Sequence, residues 1–328
     1  MTADPAGRPL PVTIADIRGA AARLDGIATR TPLLRCEELD ERVGGRLLLK
    51  AETLQRAGAF KFRGAYNTIV QLAEPAVVAY SSGNHAQGVA LAARMLGKSA
   101  TIVMPSDAPA IKRERTRSYG ATVVTYDRDR ESREAIGAAI AAETGAALVR
   151  PYDDPRIVAG QGTVGLEMAE QARAAGLELD AALICCGGGG LTAGCSIALR
   201  DAFPRIGLFA VEPEGFDDTR RSLAAGERVQ NARLSGSICD ALLLPTPGEL
   251  TFAINRELLT GVVTVTDDEV RRAIRDAFEL LKLVVEPGGA VALAAALAGR
   301  IDCRGRTIGI TLSGGNVDPA LLASCILD

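Results

Sequence analysis

The sequence predicts an α/β protein built as two open, twisted parallel-sheet lobes with a cleft between them, and three observations carry that reading. Strand-like apolar runs alternate with helical segments of ten or more residues, the signature of βαβ units and parallel sheet. That alternation begins at Ala76, reaches Tyr152, and restarts near residue 157. The chain has 328 residues, more than one hydrophobic core holds, because single cores stop growing at about 250–300 residues. Ligands sit at strand ends in open sheets, so the cleft is where chemistry is expected.

The elements follow in order. TIADIRGAAARL (13–24) reads as an amphipathic helix with Thr13 as N-cap. LLLKAE (47–52) is a strand, and a helix begins near Lys61. AVVAYSS (76–82) is a buried strand, NHAQGVALAARML (84–96) a helix and ATIVMP (100–105) a strand. IKRERTRSYG (111–120) is a helix closed by Gly120, ATVVTYD (121–127) a strand, SREAIGAAIAAET (132–144) a helix and AALVRPY (146–152) a strand. After a helix at about 157–175 come the strand AALICC (181–186), a glycine loop, a helix 191–202 and the strand IGLFAVE (206–212). VVTVT (262–266) is a strand, and Thr266 with Glu269 forms a capping box opening a helix 267–282. A helix 289–298 precedes the strand TIGITL (307–312).

Composition excludes several function classes. The chain is 48% hydrophobic and 23% charged, enough apolar material for real cores. No apolar run approaches the roughly 18 residues of a membrane helix, and MTADPAGRPLPV lacks the basic start and apolar stretch of a signal peptide. A net charge of −3 offers nothing to a phosphate backbone, so no nucleic-acid partner is expected. Seven cysteines (36, 185, 186, 195, 239, 303, 325) show no C-x-x-C spacing, which suggests reduced thiols in a cytoplasmic protein. A single histidine, His85, excludes His-rich metal sites. Only five lysines (50, 61, 98, 112, 282) are available if catalysis needs an amine.

Five segments could carry chemistry. CCGGGGLTAG (185–194) places four glycines between a strand and a helix, where backbone N–H groups and the positive helix end suit a phosphate; the plain alternative is a tight turn. Gly188, Gly190 and Ala193 also match G-x-G-x-x-A, and Glu212 ends the next strand about 20 residues on, so a dinucleotide enzyme is a rival. AYSSGNHAQG (79–88) ends a strand in a polar turn at a helix start, either an anion seat or an ordinary N-cap by Ser82 or Asn84. In RAGAFKFRGAYN (56–67) Lys61 lies between Phe60 and Phe62. Apolar surroundings lower an amine's pKa and make it a base or Schiff-base former, whereas a solvated lysine would only snorkel over the rings. TLSGGNVD (311–318) is another strand ending in a small polar turn. VEPEGFDD (211–218) is either a divalent-cation site or a solvated loop. Lys112, Arg113, Arg115 and Arg117 read as a wet helix face.

In combination, FKFRGA, SSGNHAQG, the CGGGGL loop, VEP followed by DD, and LSGGNVD resemble the fold-type-II pyridoxal-phosphate (PLP) enzymes, within the threonine dehydratase and serine racemase family. PYDDPRIVAGQGTVGLE (151–167) and VVEPGGAVALAA (284–295) resemble it too, so the likeness spans nearly the whole chain. It demotes the dinucleotide reading, which leaves Lys61 and the Asn84 turn unexplained.

The resemblance implies a tryptophan-synthase-β-like architecture with PLP in the cleft, a small domain over 76–150 and a large domain formed by 1–75 and 151–328. Lys61 would hold the cofactor and act as base; Phe60 and Asn84 would flank the ring. Gly187, Gly188, Gly189, Gly190 and Leu191 would cradle the phosphate, and Ser313 would meet the pyridine nitrogen. Ser81, Ser82, Asn84 and His85 would bind the substrate carboxylate. Ser82 stands where family racemases carry a second base, so racemisation is an alternative to dehydration. Glu212, Asp218 and the Phe216 carbonyl resemble the family's divalent-cation site (magnesium, manganese or calcium). Ala59 departs from the pattern, standing where a serine usually precedes the Phe-Lys pair. The expected activity is dehydration of L-threonine- or L-serine-type β-hydroxy amino acids to 2-oxo acids and ammonia by a homodimer, with 3-hydroxyaspartate dehydration as an alternative. The chain ends soon after LSGGNVD, without room for the regulatory domain of biosynthetic dehydratases.

Overall fold

A computed structural model describes residues 10–108, 110–127 and 130–327. The described residues form two sheets. The first has strands β1 (Leu33–Leu34), β2 (Arg46–Ala51), β7 (Ala181–Cys185), β8 (Gly207–Pro213), β9 (Gly261–Val265) and β10 (Thr307–Leu312), in the order β1-β2-β10-β7-β8-β9. Only the β1–β2 edge is antiparallel. The second has β3 (Ala76–Tyr80), β4 (Ser99–Pro105), β5 (Thr122–Tyr126) and β6 (Ala147–Leu148), all parallel, in the order β5-β4-β3-β6. The α/β class and the parallel pairing follow from the alternation in the sequence.

Local chemistry explains the element ends. Thr13 caps the helix Ile14–Leu24 in a full capping box with Asp16, and Thr266 does the same with Glu269 for Asp267–Glu279. Asp154 caps the helix Pro155–Ala174, with Pro155 at its first position, where a missing N–H costs nothing. The central strands β7 and β10 are buried along their whole length, as expected of parallel strands covered by helices on both faces.

Three expectations are corrected. The strand expected over 146–152 pairs only through Ala147–Leu148, with one more bond from Val149 N–H to the Val78 carbonyl (2.9 Å). Beyond it Pro151 has no N–H to give, and the carbonyls of Val149 and Pro151 face side chains instead. The acidic stretch 211–218 is no solvated loop: Glu212, Asp217 and Asp218 are buried, and Asp218 opens the helix Asp218–Ala225. The basic helix face is only partly wet, because Lys112 reaches Asp240 (2.5 Å) and Arg113 donates to the Ser106 and Ala108 carbonyls.

The helix Lys61–Ile69 is locked from two sides. It crosses Pro155–Ala174 so closely that a Cβ on Gly160 would stand 2.6 Å from the Gly64 Cα, a contact only glycine permits. Arg63, fully buried, reinforces that crossing through Glu167 of the helix Pro155–Ala174 (Nη1, 2.7 Å) and grips Glu52 on the other side through Nε and Nη2 (both 2.8 Å). Glu167 also takes Lys50 Nζ (2.6 Å), which donates further to the Thr31 carbonyl and Gln171. Removing one partner of such a group strands a charge out of water, at a cost of about 3–5 kcal/mol. Arg63→Met is therefore expected to lose about that much unfolding free energy in urea, with Glu52 the stranded charge; a loss under about 1 kcal/mol would contradict it.

Candidate active site

Lys61 opens its helix directly after Phe60, and the two preceding residues are tied to the end of β10. Phe60 N–H donates to the Ser313 carbonyl (3.1 Å), and Ala59 forms an isolated antiparallel bridge with Gly314. The serine turn and the lysine are thereby fixed to each other although 252 residues separate them (61 to 313). The Lys61 amine lies 5.2 Å from the Phe60 ring centre and donates to the Pro151 carbonyl (2.8 Å). Burial of the amine pushes its pKa down to about 8, against a partial counter-pull from the Glu286 carboxylate. Phe62 does not share this role: it is fully buried and pairs with Tyr66, so one phenyl ring attends the amine rather than two.

Two helix N-termini connect to this amine: that of Asn84–Met95, whose His85 feels the Lys61 charge, and that of Gly190–Ala202, whose loop packs on Tyr152 next to Pro151. The helix Asn84–Met95 follows β3 after the turn 81–83, with Gly83 as its N-cap and no side chain capping it. The N-cap reading for Ser82 or Asn84 is thus overturned, and the anion-seat reading gains, since the helix end keeps uncapped N–H donors. Asn84 instead donates from Nδ2 to Glu286 Oε1 and accepts from Asn316 Nδ2 (2.8 Å). His85 is buried and holds the Val149 carbonyl through Nε2 (3.0 Å), while Nδ1 has no partner. Burial and the nearby Lys61 ammonium push its pKa down to about 3, so the ring is neutral.

The second N-terminus is that of the helix Gly190–Ala202, again with no side-chain cap, entered through Gly189 at φ +84°. A Cβ on Gly189 would strike Asn255 Nδ2 at 2.7 Å, so both backbone shape and space demand glycine here. The loop is pinned from behind: Thr251 Oγ1 donates to the Gly188 carbonyl (2.6 Å) and Asn255 Nδ2 to the Gly189 carbonyl (3.4 Å). Leu191 is buried in the first turn of this helix, and Ser313 is buried at the end of β10.

Beneath the loop lies the acidic group. Glu212 accepts the N–H groups of Thr219 (2.9 Å) and Arg220 (3.0 Å), and Cys186 Sγ meets Thr219 Oγ1 (3.5 Å). Burial and the neighbouring Asp218 push Glu212 up to about 8. Burial lifts Asp218 to about 6, and its Oδ2 is buried without a partner. Phe216 is buried close by. Among the described residues no group of three or more His, Cys, Asp and Glu could hold a metal.

Sequence reasoning missed Glu286 and Asn316. Glu286 is buried at the N-cap of the helix Pro287–Leu297, and burial with Asp240 pushes it up to about 7. An acid directly before a proline-opened helix in an apolar run was the available signal. Gly189→Ala is expected to weaken binding of a phosphate ester at the loop tenfold or more, read by titration with pyridoxal phosphate; unchanged affinity would contradict the cradle.

The family of pyridoxal-phosphate dependent enzymes matches residues 24–314. An L-threo-3-hydroxyaspartate ammonia-lyase from a Pseudomonas species is 44% identical, over 95% of this chain and 97% of the relative. A serine racemase from Arabidopsis thaliana is 40% identical over 93% of this chain. The crystal structure of a T.th. threonine deaminase superposes with a TM-score of 0.88 at 43% identity, covering 93% of this chain and 99% of that one. The parallel-sheet fold agrees with these likenesses, and the chain belongs to the pyridoxal-phosphate-dependent enzymes, in their ammonia-lyase and racemase branch.

Proposed function

We propose that the protein is an ammonia-lyase that converts β-hydroxy amino acids of the serine, threonine and 3-hydroxyaspartate type into 2-oxo acids and ammonia. One observation carries this reading: a buried lysine, its amine pKa lowered to about 8, lies against the helix Asn84–Met95, whose N-terminus no side chain caps and whose His85 is within its electrostatic reach. The residues fit pyridoxal phosphate, because the glycine loop, packed so closely on Leu242, Tyr152, Thr251 and Asn255 that its positions admit no side chain, leads into an uncapped helix N-terminus that suits a phosphate. When bound, the cofactor supplies an electron sink for the charge developing at the substrate Cα.

The chain's own residues do the rest. Lys61 holds the cofactor, and the N–H groups of Gly187 to Gly190 and Leu191 hold its phosphate. Asn84 and Phe60 flank the ring. Ser313 offers the pyridine nitrogen a neutral hydroxyl, which does not enforce protonation as a carboxylate would and so suits elimination over transamination. The turn of Ser81, Ser82, Asn84 and His85 binds the substrate carboxylate through uncapped N–H groups, and the neutral His85 ring adds no charge. Lys61 would be released when the substrate's own amino group takes its place on the cofactor, and as the freed amine it would take the Cα proton. The β-hydroxyl then leaves with a proton as water, and the enamine product hydrolyses in solution. The water lost is regained, so the net change is amino acid to 2-oxo acid plus ammonia.

A second reading, racemisation, is favoured by Ser82, whose hydroxyl is not spent on capping the helix behind it. As a second base it would reprotonate Cα from the face opposite Lys61. Glu212, Asp218 and the Phe216 carbonyl are proposed to hold a divalent cation, magnesium, manganese or calcium. Two crowded buried carboxylates with an orphan oxygen support it. The seven free, buried thiols suit a reducing cytoplasmic setting, and a homodimer completes the reading.

Lys61→Ala is expected to lower kcat for release of 2-oxo acid about a thousandfold or more at an unchanged fold; residual turnover above a tenth would contradict the assignment. Because protonated Lys61 cannot accept a proton, kcat should rise with pH and level off above about 8, whereas a flat profile from pH 6 to 9 argues against it. Ser82→Ala should depress serine racemisation more than dehydration, and equal losses would remove the two-base idea. Magnesium should raise the melting temperature of wild type but not of Glu212→Gln; equal shifts would dismiss the cation site.

A further inference from the structure

We propose that Tyr152 is a specificity-determining residue, whose ring limits the size of the substituent on the substrate's β-carbon; the inference rests on the proposed elimination at Lys61. Three consecutive residues form a strap across the cleft. Pro151 gives its carbonyl to the Lys61 amine (2.8 Å). The next residue, Tyr152, lays its ring against the phosphate loop, so that a Cβ on Gly188 would stand 2.5 Å from three ring atoms. Asp153 then accepts the N–H groups of Leu250 (2.9 Å) and Thr251 (3.3 Å), on the helix that pins the same loop. The Tyr152 ring therefore lies on the loop, one residue along the chain from the carbonyl that holds the base.

The proposal places the β-substituent beside this ring, between the Pro151 carbonyl that holds the base and the loop. The proton leaves Cα toward Lys61, and the hydroxyl leaves Cβ on the side of the cradle. Tyr152 is half-buried, and Tyr80 at the end of β3 and Arg133 at the start of the helix Arg133–Thr144 are within electrostatic reach of its phenol. Arg133 itself stands 5.3 Å over the Tyr80 ring. The wall is also stiff. β6 holds the strap on one side, Pro151 fixes its own φ, and the Asp154 cap of the next helix holds the other side. A ring on such a strap cannot swing aside for a bulky group, so hydrogen, methyl or carboxylate on Cβ is admitted and an aryl group is excluded. A shape clash of this kind discriminates by a factor of tens or more, as each misplaced methylene is worth about 1–3 kcal/mol.

The test compares wild type, Tyr152→Ala and Tyr152→Phe, loaded with pyridoxal phosphate, on serine, threonine and β-phenylserine, with kcat and KM read separately from 2-oxo acid release. Tyr152→Ala should raise the phenylserine-to-serine ratio of kcat/KM tenfold or more, chiefly through KM. Tyr152→Phe should keep the wild-type ratio within about threefold, because the ring rather than the hydroxyl acts. A ratio in Tyr152→Ala within twofold of wild type, or wild type using phenylserine as well as serine, overturns the proposal. If wild type releases no 2-oxo acid from any of them, the elimination reading fails by itself. The size limit is then read by melting-temperature shifts with L-alanine and L-phenylalanine, which carry no leaving group. Phenylalanine gaining on alanine only in Tyr152→Ala supports it, and equal gains in both proteins overturn it.

Discussion

The structure depends on keeping one amine out of water while leaving it a neighbour to react with. Lys61 achieves this because its helix starts at the junction of four segments that are distant in sequence. The β10 end holds it through the Phe60 N–H and the Ala59–Gly314 bridge. The strap at Pro151 holds its amine, and the helix Asn84–Met95 lies against its backbone, with Gly88 so near that an added Cβ would come within 3.2 Å of the Lys61 carbonyl carbon. Desolvation lowers the amine's pKa into the range where it can exchange protons near neutrality. A solvated lysine in the same sequence position would stay protonated and inert.

The surrounding machinery is arranged so that charge appears only where it is needed. Arg63, Glu52, Glu167 and Lys50 balance one another behind the Lys61 helix, two positive and two negative groups with their donors spent on carboxylates, carbonyls and amides. Such a group contributes little net stability compared with an apolar core, but it admits one arrangement of the elements it joins. On the cleft side the positive features are backbone ones, two helix N-termini without side-chain caps. They offer hydrogen-bond donors to anions without placing a rival amine next to Lys61.

Much of this was legible in the sequence because it is local. The glycine run, the Ser-Ser-Gly-Asn-His turn and the Ser-Gly-Gly-Asn ending each sit at the end of one strand, and period and punctuation place strands well. Thr307–Leu312 matches the strand expected there, and the Thr266–Glu269 capping box and the Thr13 N-cap could be read from the sequence alone. What was not legible is long-range. The Asn84–Glu286 contact joins residues 202 apart, and nothing in VVEPGG announces that its acid will face an amide from the helix Asn84–Met95. The burial of Glu212 and Asp218 was equally hidden, since a run of acids reads as solvated until the helix Asp218–Ala225 folds over it. Lys112 looked like one cation among several until the fold set it opposite Asp240.

The account's central claim is that the Lys61 amine is the one that carries the cofactor. Borohydride reduction of the pyridoxal-phosphate-loaded protein, followed by proteolysis and mass spectrometry, tests it most directly. The predicted result is a single pyridoxyl-phosphate adduct on the peptide containing Lys61. An adduct on Lys50, Lys98, Lys112 or Lys282, or none at all, would contradict it.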